Sequence, residues 1–107
     1  MHIQSWKDEQ TFSEERFTKQ ELFSDKNHTV FVLNFRPGQA LPSHRHPGKV
    51  VFLLVLQGHG DCHIDHETFS LSEGDFLHLD ADNALGFTNN SDQPLSIYVT
   101  LHNIPKR

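Results

Sequence analysis

Past residue 29 the apolar positions fall into short runs, each closed by a turn signal. Residues 30–35 are β-branched or aromatic and stop at Pro37-Gly38. Residues 50–56 are continuously apolar and stop at Gly58-His59-Gly60. Residues 62–65 alternate and meet a turn at His66-Glu67, and residues 68–71 run into Ser72-Glu73-Gly74-Asp75. Residues 76–79 precede a polar corner at 80–83, residues 85–87 lead into Asn89-Asn90-Ser91-Asp92, and residues 95–101 close the pattern. Short runs separated by turn signals every 8–12 residues or so are the pattern of a β-sandwich or β-barrel. No run is followed by a long helical stripe, which argues against a parallel sheet with crossover helices. The run 50–56, apolar on both faces, is predicted to be the central strand.

The first 29 residues read differently. They are polar, with isolated aromatics at Trp6, Phe12, Phe17 and Phe23. Thr11 and Glu14 have the spacing of a capping box, which predicts that a helical turn starts there. Beyond it no helical stripe is sustained, so residues 1–29 are read as an N-terminal arm of short strands, placed at a dimer interface. Residues 30–107 then form the barrel.

Composition narrows the function classes. The chain has 107 residues, enough for one domain. Nine Lys and Arg against 14 Asp and Glu give a net charge of −5, which argues against nucleic acid as a partner because no basic stripe is available to face phosphates. The longest apolar run is far short of the roughly 20 residues that cross a bilayer. Cys62 is the one cysteine, so no internal disulfide forms. With no apolar leader near Met1, the expectation is a soluble, reduced, cytoplasmic protein. Phosphate loops, nucleophile elbows and C-x-x-C pairs are absent from the sequence.

Nine histidines are many for this length, and two carry the chemistry. His44 and His46 lie two apart in an extended segment, so their side chains share a face with Cα atoms roughly 6–7 Å apart. Imidazoles so placed converge on one cation, zinc being held at about 2.0–2.1 Å.

The stretch from Gly38 through His44-Arg45-His46 to an apolar strand ending at Gly58 resembles the first motif of the cupin superfamily. Gly74-Asp75, the strand 76–79 and Asn89 resemble the second motif. The resemblance spans residues 30–101. It implies an all-β fold, a double-stranded antiparallel β-barrel of jelly-roll type in a single domain, usually dimeric. In metal-binding cupins it also implies an ion held inside the barrel by two histidines and a glutamate of the first motif and a histidine of the second. Here Val51 stands where that glutamate is expected and Leu85 where that histidine is, while Asp80 and Asp82 replace the proline and glycine of the second-motif turn. His44 and His46 remain as the metal ligands.

A pair of imidazoles needs other groups to complete a zinc, nickel, iron or copper shell, and His63, Asp65, His78, Cys62, water or a bound ligand are the candidates. Strand parity puts Cys62 and Ile64 on one face and His63 and Asp65 on the other, without saying which face is inward. The expected pocket is lined by Val51, Leu85, His78 and His63. Three functions follow. The leading one is a cupin that binds a small molecule, with a partial metal site on His44 and His46. The second is a metal-dependent enzyme of dioxygenase or isomerase type on a small organic substrate, and the third a metal-free, epimerase-like cupin with a histidine base. A homodimer is expected, with neither nucleic acid nor membrane as partner.

Overall fold

Nine strands make up the computed structural model, which describes residues 1–104. They are β1 (Thr18–Ser24), β2 (His28–Phe35), β3 (Ala40–Arg45), β4 (Lys49–Gln57), β5 (His59–Ile64), β6 (Glu67–Ser72), β7 (Phe76–Leu79), β8 (Ala84–Thr88) and β9 (Leu95–Asn103). A five-stranded sheet has the order β1-β2-β9-β4-β7 and a four-stranded sheet the order β3-β8-β5-β6. All pairings are antiparallel. The all-β jelly-roll barrel implied by the sequence is the fold observed.

The inner faces of the two sheets make one core. In β4 the buried positions are Val51, Leu53 and Val55, while Phe52 is exposed. The strand is therefore alternating in its environment although its sequence is uniformly apolar. It also lies one place from the sheet edge; the middle strand is β9, whose Leu95, Ile97 and Val99 are buried. Phe35 and Phe87, both fully buried, close the core where β2 and β8 end, and Phe17 stacks on Phe35 at 5.3 Å. Burying one such aromatic contributes about 1.5–3 kcal/mol.

One buried polar side chain ties the ends of several elements together. The Asn89 amide donates to the carbonyls of Phe35 (3.0 Å) and Gln93 (2.8 Å), and its oxygen accepts from the Ser91 amide and hydroxyl. An asparagine with all its main valences met inside a core holds its neighbours in one geometry.

The N-terminal segment holds one short strand, β1, and is otherwise irregular apart from one helical turn. Its helical element is a single 3-10 turn at Trp6–Glu9, capped by Ser5, whose hydroxyl accepts from the Lys7 amide. Thr11 and Glu14 cap nothing, because the chain needs that stretch to cross to β1. The segment packs on its own barrel: Gln10 donates to Gln57 and Ser96, and Asn34 donates to the Glu9 carbonyl. Thr18–Ser24 then adds an edge strand beside β2.

Candidate functional site

Between the sheets lies an open cavity of about 310 Å3, at the small end of ligand pockets. Its floor and walls are apolar: Phe31, Leu33, Leu53, Leu85, Ile97 and Val99 are buried, with the half-buried Phe17, Leu41 and Leu101 around them. Three polar residues complete the lining: Lys19, His44 and His46.

Register explains how the two histidines come inward. His44 pairs with Leu85, and a bulge between Leu41 and His44 keeps both of those side chains on the inner face although they are three apart. His46 follows two residues later, and the imidazole centroids are 4.5 Å apart. His44 Nδ1 lies 3.0 Å from the Pro42 carbonyl. A carbonyl only accepts, so Nδ1 carries a proton there. His46 Nδ1 is buried with no partner. Burial, then the positive charges of His44, Lys49 and Lys19, lower the His46 pKa below its usual 6.5, so this ring is neutral at pH 7.

Of the other expected pocket residues, Leu85 lines the cavity and three lie elsewhere. His63 is on the outer face of β5, between the Thr68 and Thr88 hydroxyls at 3.0 and 2.9 Å. The reason is that Cys62, its neighbour, pairs with Phe87 and points inward. His78 is likewise outward, paired with the exposed Phe52 and 5.2 Å from its ring, while Leu77 and Leu79 turn in. Val51 is buried in the core but does not line the cavity, whereas Leu85 does. Asp65, in the β5–β6 turn, ties that turn to the start of β8, accepting from the Ala84 amide and the Asn83 side chain. Cys62 is sealed in the core, and burial pushes its thiol up to about 12, which removes it as a nucleophile or ready metal ligand.

A resident transition metal does not fit this donor set. Among the described residues no three His, Cys, Asp or Glu side chains converge. His44 faces Leu85 across the ladder, and the further charged group of the lining is a lysine ammonium. A divalent ion there would meet two imidazoles and no anion, beside a cation. The expected partial metal site is thus reduced to a pair of nitrogens.

Lys19 and Phe17 are lining residues that sequence reasoning missed. Nothing local marked them, because residues 18–21 are all polar and the segment does not alternate. Among the described residues no helix is long and apolar enough to cross a membrane.

The sequence model described as Cupin domain matches residues 31–101. No functionally curated protein matches the chain. Among solved structures, TT1209 from Thermus thermophilus is similar, with 24% identity over 98% of this chain and 100% of that one, at a TM-score of 0.91. An uncharacterized conserved protein with a double-stranded beta-helix domain from Klebsiella pneumoniae is 20% identical over 96% and 90% of the two chains, at 0.90. A predicted oxalate decarboxylase from Thermotoga maritima is 16% identical over 88% and 99%, at 0.74. At these identities the likeness is one of fold.

Proposed function

The chain belongs to the Cupin domain family, and from that premise we propose that it is a barrel that binds a small organic molecule without a catalytic metal. The observation that carries this reading is the cavity itself: an apolar pocket between the sheets with three polar groups in its lining, which is the usual make-up of a ligand site. The enzymatic alternative lacks a carboxylate in that lining, so neither a charge-neutralised metal nor a general base of that type is at hand.

The volume bounds the ligand at about ten non-hydrogen atoms, taking roughly 30 Å3 for each. At about 0.5 kcal/mol per atom the dissociation constant is on the order of 0.2 mM, so screening belongs at millimolar concentration. Ligand-observed NMR of compounds this size is expected to give hits that compete for one site. Leu41→Trp, which fills the cavity from a half-buried position, weakens them at least about tenfold, and equimolar zinc leaves their binding unchanged. Hits indifferent to Leu41→Trp, or none at all, would overturn the reading.

The homodimer is proposed on a separate surface. Phe52 and Phe76 are exposed on the outer face of the five-stranded sheet with ring centroids 6.1 Å apart, and His78 packs beside them. Covering such a patch removes apolar area from water. Sedimentation at micromolar concentration is expected to give twice the 12.3 kDa chain mass. Phe76→Glu is expected to halve it, and a wild-type monomer would refute the proposal.

A further inference from the structure

We propose that the ligand of this cavity is an organic carboxylate, its hydrocarbon part lying between the sheets and its charged end at the mouth against the Lys19 ammonium. The proposal rests on the reading of the cavity as a ligand site and adds the chemical class of what enters it.

Lys19 carries the argument. On β1 it pairs with the buried Leu33, so its side chain leaves the strand on the inner side of the sheet. A lysine at such a position sets a strongly hydrated charge beside an apolar wall, and its stem lies along that wall while the head seeks polar company. The head is over the Phe31 ring, 4.4 Å from the centroid, and Phe31 also lines the cavity. Lys19 has no salt-bridge partner among the described residues. Glu21, two residues on, shares its side of β1 by register with Phe31, but it does not line the cavity and does not pair with Lys19.

The rest of the lining supports an anion of one charge. It contains no carboxylate to repel one, and Lys49 lies close enough that its positive charge is felt at His46. His46, as a neutral ring, carries one N–H to donate. His44 has already committed its Nδ1 proton to the Pro42 carbonyl. One ammonium and one neutral donor balance a carboxylate. A phosphate dianion calls for more, such as the fork of an arginine, and no arginine is in the lining. The nine apolar lining residues then take up a hydrocarbon or aryl group.

The test compares phenylacetate with phenylacetamide, which have the same number of non-hydrogen atoms and differ in charge, by titration against the full chain followed by protein NMR. In low salt phenylacetate is expected to bind about tenfold tighter, the usual scale of a charge-assisted hydrogen bond, and added salt is expected to erode that advantage alone. Lys19→Met preserves the stem and removes the charge. It is expected to abolish the preference while leaving phenylacetamide binding in place, and Lys19→Arg to restore it. Lys19 is exposed on an edge strand, so both variants fold. Equal binding of the two compounds, or a preference that survives Lys19→Met, overturns the carboxylate while leaving the cavity a ligand site. Failure of both compounds to bind at millimolar concentration overturns the cavity reading, and the carboxylate with it.

Discussion

Phe35→Ala is expected to lower the stability of the fold by about 3–5 kcal/mol, the range for removing a buried aromatic without collapse of the space it leaves. Phe35 is fully buried, stacks on Phe17 at 5.3 Å and meets Phe87 at 6.2 Å. Domains of this size have in total about 5–15 kcal/mol, so the loss is a large share of the whole. In urea the midpoint is expected to fall by at least about 1 M with the slope unchanged. Phe69→Ala is the matched control. Phe69 is 43% exposed on β6, and its truncation is expected to remain under about 1 kcal/mol. Because Phe17 is both the stacking partner of Phe35 and a wall of the cavity, ligand binding is expected to weaken in Phe35→Ala under conditions where the chain is still folded. A loss as small as that of Phe69→Ala would show that Phe35 does not sit in a dry, closed core.

The strands of the barrel were legible because turn residues and apolar runs are local signals. Residues 76–79 match β7 at both ends, and residues 95–101 fall inside β9. Facing was not legible, since a run such as 50–56 is apolar at every position and only its pairing with β7 and β9 assigns Phe52 outward and Leu53 inward. For His78 the decisive fact was available. Leu77 and Leu79 are apolar at i±1, and in a strand such neighbours put the residue between them on the opposite face. For His63 the missing fact was tertiary, the burial of Cys62 opposite Phe87. The part of the lining formed by Phe17 and Lys19 comes from a segment too polar to announce itself as a strand. Its place is set by hydrogen bonding to β2 rather than by its own composition. The bulge between Leu41 and His44 also has no signature in the residues that form it, yet it sets the inward aim of His44.

Gly58→Ala is expected to be nearly as damaging as loss of a core aromatic, and for a different reason. Gly58 joins β4 to β5 at φ +84°, a left-handed conformation in which a β-carbon costs about 1–2 kcal/mol. Its β-carbon would also collide with the Pro94 carbonyl oxygen and come within 3.2 Å of Leu95 Cα. Those atoms are backbone at the start of β9, and Leu95 is fully buried, so yielding there displaces the core; forced shifts of that kind cost about 1–3 kcal/mol more. Gly74→Ala separates the two effects. Gly74 has φ +90°, but a β-carbon there would meet nothing within 4 Å, so only the conformational part applies. Denaturation of both variants is expected to give about 2–5 kcal/mol for Gly58→Ala and about 1–2 kcal/mol for Gly74→Ala. The difference between them measures how tightly the β4–β5 corner is held against residues 94–95. Equal losses would mean that this stretch moves aside freely, and the close packing of that corner would then be wrong.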